Sequence, residues 1–149
     1  MEIKFRPIEI NDLDSAVDEM VLAFRSAPWN ERWTIEEGKQ RFMAILANKF
    51  SYGYVALDNE SNQIIATCVG HLEYYLDKVI YWIDDFSVRT DYQDKGIGTG
   101  FLFYVKKEMK RLKVTEIRLM TLRDYPSEKF FKSNGFDSNR ESVQLKITL

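Results

Sequence analysis

At 149 residues, with 45% hydrophobic, 14% aromatic and 30% charged side chains, the chain has the length and make-up of one globular domain, residues 1–149. A formal charge of −2 disfavours nucleic acid as a partner, and one cysteine with one histidine excludes an internal disulfide or a Cys/His metal cluster. No apolar run nears the roughly 20 residues of a membrane span, and "MEIKFRPIEINDLD" lacks a signal peptide's basic and apolar regions, so a cytoplasmic protein without membrane partners is expected.

"EIKFRPI" reads as a first strand. Asn11 is placed to cap a helix whose apolar stripe is Leu13, Val17, Met20 and Phe24, spaced as one helix face requires. "SAPWNERW" interrupts it. Thr34 with Glu37 three residues on has the form of a capping box, and Phe42, Ile45 and Leu46 give the next helix its buried face. "YGYVALDNESNQIIATCVGHLEYY" is two β-rich runs around a polar turn, a hairpin, and "KVIYWIDDFSV" is a third run beside it.

Gly96, Gly98 and Gly100 follow, and then Leu102, Val105, Met109 and Leu112 recur at helical spacing. A short strand is expected over "TEIRLMTL", ending at Leu122. "PSEKFFKSNGF" reads as a short helix with Pro126 in its first turn and Gly135 at its stop. In the tail, Val143, Leu145, Ile147 and Leu149 alternate with polar residues, the pattern of a strand with one buried face. The predicted order is β-α-α-β-β-β-α-β-α-β. It implies an α/β domain with a mixed central sheet and helices on both faces.

Three glycines between a strand and a helix suit an anion. Helix N-termini expose unpaired N–H groups and carry partial positive charge, and glycine lets a phosphate approach the backbone. "QDKGIGTG" is not a Walker loop, because no Gly-Lys-Ser/Thr occurs, and its glycines fall at G-x-G-x-G rather than G-x-G-x-x-G. It also lies late in the chain, behind a hairpin, where a dinucleotide fingerprint does not belong.

Gln93, Asp94, Lys95, Gly96, Ile97 and Gly98 instead match [QR]-x-x-G-x-[GA], and the chain resembles the GNAT superfamily of N-acetyltransferases. "FSV" before the signature, the amphipathic helix after it, "IRLMTL" and "FFKSNGF" extend the resemblance from Val79 to Phe136. The resemblance implies an acetyl-CoA cleft between two splayed parallel strands. Backbone groups around Phe86 and Val88 would pair with the pantetheine arm. N–H groups from Gln93 to Gly98, with the Thr99 hydroxyl, would hold the pyrophosphate. The reaction it implies is direct attack of an amine on the acetyl thioester.

Such an amine is mostly protonated near neutrality, so a base is needed. Asp85 stands where family members carry an acidic residue ahead of an aromatic-x-Val segment. Strand alternation puts Asp84 on the face of Phe86 and Val88, and Asp85 with Ile83 and Ser87. Asp84, Asp85 and solvent all remain open as the base. By resemblance, the family's last-helix tyrosine corresponds to Phe131 and the earlier asparagine to Asp124, so the usual acid is missing; Tyr125 is the substitute candidate. A non-catalytic acyl-CoA-binding or regulatory module is therefore the alternative to an enzyme.

His71 reads as a structural imidazole and Cys68 as a buried thiol. Lys95, Lys129 and Lys132 read as solvated surface charges. Trp29, Glu31 and Trp33, with Glu73, Tyr74 and Tyr75 of the hairpin, would wall the acceptor site and suit a cationic amine. A small molecule and a peptide are both open as that amine. A second copy of the chain is an admissible partner by resemblance, although no surface stripe marks a contact.

Overall fold

The computed structural model describes residues 1–149. Its elements are β1 (Ile3–Pro7), α1 (Leu13–Arg25), α2 (Ile35–Leu46), β2 (Ser51–Asp58), β3 (Gln63–Tyr75), β4 (Lys78–Val88), α3 (Ile97–Arg111), β5 (Glu116–Leu119) and α4 (Pro126–Ser133). The strands form one open mixed sheet in the order β1-β2-β3-β4-β5. β1 to β4 are antiparallel neighbours, and β5 runs parallel to β4. A parallel neighbour needs a crossover, which α3 supplies.

Period-two alternation divides the side chains between two cores. Val55 and Leu57 of β2 face α1 and α2, where they meet Val17, Met20, Val21 and Phe42. Tyr54 and Ala56 face the other way, onto Ile97, Phe101, Leu102, Val105 and Met109 of α3 and Phe131 of α4. The sheet is thus covered on both sides, as the sequence pattern predicts.

The start of α1 differs from expectation. Asn11 lies inside a short 3-10 turn, Ile10–Asp12, and caps nothing; Asp12 instead accepts from the Glu9 N–H (2.7 Å) and from Arg6 (2.6 and 2.9 Å). A partner on β1 outweighs a local cap. Thr34 does cap α2, accepting the Glu37 N–H at 3.1 Å. The Glu37 carboxylate accepts from the Thr34 hydroxyl at 3.0 Å and not from the Thr34 N–H, so the reciprocal half of the expected capping box does not form.

Two strand expectations are corrected. β5 ends at Leu119 rather than Leu122, because its pairing with β4 stops at Ile83 opposite Leu119. The tail is not a strand: residues 137–149 take part in no backbone–backbone hydrogen bond, and Val143, Leu145, Ile147 and Leu149 are at least 77% exposed. Alternation specifies which side chains share a face; a strand also needs a neighbour, and none pairs with the tail inside the chain.

Candidate functional site

β4 outruns its parallel partner. After Ile83 the strand continues to Val88, still bonded to β3 through Val69↔Asp85, Cys68↔Phe86, Thr67↔Ser87 and Ala66↔Val88, with no neighbour on its other edge. That edge therefore carries no strand ladder from Asp84 to Val88; only side chains reach it, Arg41 at the Asp84 carbonyl (3.3 Å) and Gln93 at the Val88 carbonyl. The gap holds two adjoining hollows of ≈ 390 and ≈ 400 Å³, the size of small-molecule sites. Phe24, Trp29, Phe86, Ser127 and Phe131 line both, so the two form one continuous cleft.

One end of the cleft is the glycine turn. Phe86, Val88, Gln93, Asp94, Gly96, Gly98 and Thr99 line it, while Ile97 is buried in the α3 core and the Lys95 ammonium lies 5.4 Å from the Tyr92 ring centre. Gly96 has φ +78 at the cap of α3, and a Cβ there would meet nothing within 4 Å. The turn is open in front and left-handed in its backbone, which is why glycine stands there. The N–H groups of Asp94 to Thr99 find no acceptor within the chain, the arrangement of a helix start with its first donors unpaired. The Gln93 amide donates to the Val88 carbonyl at 2.8 Å and ties the turn to the end of β4. Gly98 has a second reason: a Cβ would sit 3.2 Å from the Phe130 ring, where α3 packs on α4.

The other end is acidic and aromatic. Asp84, Asp85, Glu31, Trp29, Trp33 and Arg41 line it, beside Leu119 to Leu122 and Gln144. Simple alternation predicts opposite faces for Asp84 and Asp85, but the register slips there: Val69 pairs Asp85 and Gly70 pairs Ile83, leaving Asp84 as an extra residue. This β-bulge breaks the parity of the strand. Ile83 consequently packs in the same core as Phe86 and Val88, and Asp84 and Asp85 line the same hollow.

Each carboxylate has a partner. Arg41 on α2 donates from Nε to Asp85 Oδ2 (2.7 Å) and from Nη2 to Oδ1 (2.8 Å), a bidentate pair. Burial pushes the Asp85 carboxyl above its ordinary range, against the pull of Arg41. Asp84 Oδ2 lies 2.8 Å from His71 Nδ1 on β3. His71 is therefore adjacent to the hollow through Asp84, closer than its place in the sequence suggests. Below the strand, Glu19 of α1 is buried and accepts from Thr67 (3.0 Å) and Ser87 (2.9 Å); burial raises its carboxyl well above the usual value.

Phe131 is buried against Phe86, Phe130 and Phe136, at centroid distances of 5.5, 5.0 and 5.3 Å. It lines both hollows and offers no hydroxyl. Tyr125 stands just before α4 without a side-chain cap bond and packs on Trp29 at 5.2 Å, but it lines neither hollow. Ser127 does, and its hydroxyl is 2.6 Å from that of Thr121. Glu73 is occupied by the Trp82 indole N–H at 3.1 Å, and Tyr74 and Tyr75 are exposed at the hairpin end; none of the three walls the cleft. Cys68 is fully buried, its thiol pushed up to about 12 by burial.

Arg41, Ser127 and the His71–Asp84 contact were not readable from the sequence. The Arg41 partnership spans 44 positions, which no local pattern encodes. Ser127 carries a weak sign, a hydroxyl just after the proline that opens α4.

A sequence profile of the acetyltransferase (GNAT) family matches residues 15–136. Among curated proteins no sequence matches the chain. Several solved structures share its fold. A transcriptional regulator from Bacillus halodurans C-125 superposes with TM-score 0.78 at 17% identity, covering 98% of this chain and 100% of that one. Glucosamine-6-phosphate N-acetyltransferase from Arabidopsis thaliana gives 0.71 at 19% identity, with 99% of each chain covered. An aminoglycoside antibiotic 6'-N-acetyltransferase from Acinetobacter baumannii gives 0.73 at 18% identity, again over 99% of each.

Proposed function

This chain belongs to the acetyltransferase (GNAT) family, and from that premise we propose that it transfers the acetyl group of acetyl-CoA to a primary amine by direct attack. The observation that carries this reading is the continuity of the cleft. It joins a turn of unpaired N–H groups, along the free edge of β4, to a hollow lined by Asp84, Asp85 and Glu31. The residues fit the donor: the glycine turn accepts a pyrophosphate, and the edge from Asp84 to Val88 accepts an amide-bearing arm. Acetyl-CoA supplies the activated acetyl group.

The acceptor in this reading is a cationic amine. Three carboxylates against one guanidinium leave the hollow net negative, and Trp29 and Trp33 add ring faces suited to a cation. Asp85 is the base. Its raised carboxyl is a stronger proton acceptor than an exposed one, and Arg41 fixes its orientation. The ammonium gives one proton to Asp85, the freed amine bonds to the acetyl carbon as the carbon–sulfur bond breaks, and the second proton lost from nitrogen ends on the departing sulfur as the coenzyme thiol. Ser127, held by Thr121 where the two hollows meet, is better sited than Tyr125 to donate to the departing sulfur.

Phe131 favours a second reading, an acyl-CoA-binding module without turnover, since the hydroxyl expected at that position is absent. Thiol release from acetyl-CoA across a panel of amines, with coenzyme binding followed by calorimetry, separates the two. Release with one amine class supports the transferase. Binding with no release on any amine overturns it in favour of the module.

A further inference from the structure

Glu19 takes no part in the proposed reaction, yet it is an acid set into the core. It is 3% exposed and stands on α1 with Ala16, Val17, Met20, Val21 and Ala23, all buried. Burying a carboxyl is costly unless its oxygens find donors. Here they do. Thr67 donates to Oε2 at 3.0 Å, Ser87 donates to the same oxygen at 2.9 Å, and the two hydroxyls lie 3.2 Å apart. Thr67 and Ser87 are direct partners across β3 and β4. One point therefore ties a helix to two strands.

Apolar side chains of the same shape would fill this space at little or no cost in stability. What they would lack is direction, which hydrogen bonds impose through distance and angle. Direction matters in the strand itself. β5 ends at Leu119, opposite Ile83, so from Asp84 onward β4 has a strand on one side only. Ser87 sits within that stretch, and with Phe86 and Val88 it lines the coenzyme end of the cleft. Alternation sends Phe86 and Val88 onto the α3 core and the Ser87 hydroxyl toward α1. Holding that hydroxyl from α1 thus fixes the height and pitch of the open edge.

We propose that Glu19 is a positioning residue for the acyl donor: through Thr67 and Ser87 it holds the open side of β4 where the amide-bearing arm of acetyl-CoA would pair. The inference rests on the coenzyme half of the proposed function, and it applies equally to a module that binds acetyl-CoA without turnover.

Calorimetric titration of the full chain with acetyl-CoA, beside thermal melts of each variant alone, tests it. Glu19→Leu should lose about tenfold in affinity, the order of a lost buried hydrogen bond. Glu19→Gln should recover that loss, because the protonated carboxyl that burial favours and an amide can each donate and accept here. A role in stability alone would lower Tm in Glu19→Leu and leave the affinity of the folded chain unchanged. Thr67 is fully buried and lines neither hollow, so Thr67→Val reaches the ligand only through this network. It should weaken binding by less, and it carries the test where Glu19→Leu does not fold. Wild-type affinity in either folded variant, or a Glu19→Gln chain as weak as Glu19→Leu, overturns the proposal alone. A wild-type chain that binds no acetyl-CoA overturns the coenzyme reading and this inference with it.

Discussion

Asp84 and Asp85 are neighbours with different partners, and the difference underlies the roles proposed for them. Asp85 is held in two bonds by Arg41 and raised by burial, whereas Asp84 leans on His71. Replacing Asp85 by Asn should lower kcat by about 10²-fold or more, the usual contribution of a positioned base. Arg41→Ala should act through pH instead. Arg41 pulls the Asp85 carboxyl down, so its loss raises that carboxyl further and moves the rising limb of kcat/KM to higher pH. A profile that keeps its position would dismiss Asp85 as the titrating base. Glu19 tests stability. Its folded carboxyl lies well above the ordinary value of 4.5, so the folded state holds the proton more tightly than the unfolded one. The contribution of Glu19 to stability is therefore fully present below the unfolded value and is lost as pH rises through the folded one. Thermal melts of Glu19→Gln should lack that decline. At this scale the sequence was legible where chemistry is local: Gly96 to Thr99 could be read as a glycine turn opening a helix because their neighbours in sequence are their neighbours in space. Asp85's partner could not, since Arg41 reaches it from another helix.

The start of α3 separates two functions of glycine. Gly96 carries the left-handed backbone with open space before it, while Gly98 lies against Phe130. Gly96→Ala should cost about 1 kcal/mol of stability from backbone strain and weaken coenzyme binding in calorimetry, without disturbing the packing of α3 on α4. Unchanged affinity would argue against this turn as the anion site. Most elements were legible: a buried face leaves a period of 3.6 in α1 and α3, while β2 and β3, buried on both faces, show as β-rich runs around a polar turn. The bulge at Asp84 was not, because an inserted residue interrupts the very alternation used to detect a strand. The tail shows the converse case, where Val143 to Leu149 carry the period but one chain supplies no ladder.

The fold of the whole molecule puts the cleft between elements far apart in sequence, with α1 and the segment after it on one side and β4, β5 and α4 on the other. A ligand spanning it braces both halves of the protein. Acetyl-CoA at 100 times its Kd should therefore raise stability by about 2.7 kcal/mol, read as a rise in Tm. ATP or NAD at equal concentration should leave Tm unchanged, because neither carries the pantetheine arm that the free edge of β4 would pair with. A larger shift with either nucleotide would return the glycine turn to the nucleotide-binding proteins.

The proposed reaction releases a thiol at every turnover, and thiols trade partners with disulfides through their thiolate forms. An accessible protein cysteine would be captured by oxidised coenzyme A and locked as a mixed disulfide. Cys68, the chain's only sulfhydryl, has no exposed surface and a proton held to about pH 12. Folded protein thus contributes nothing to a thiol-reactive dye, and the colour developed during turnover counts product alone. The same dye, given no substrate, becomes a clock for unfolding, because Cys68 reacts only when the sheet around it opens.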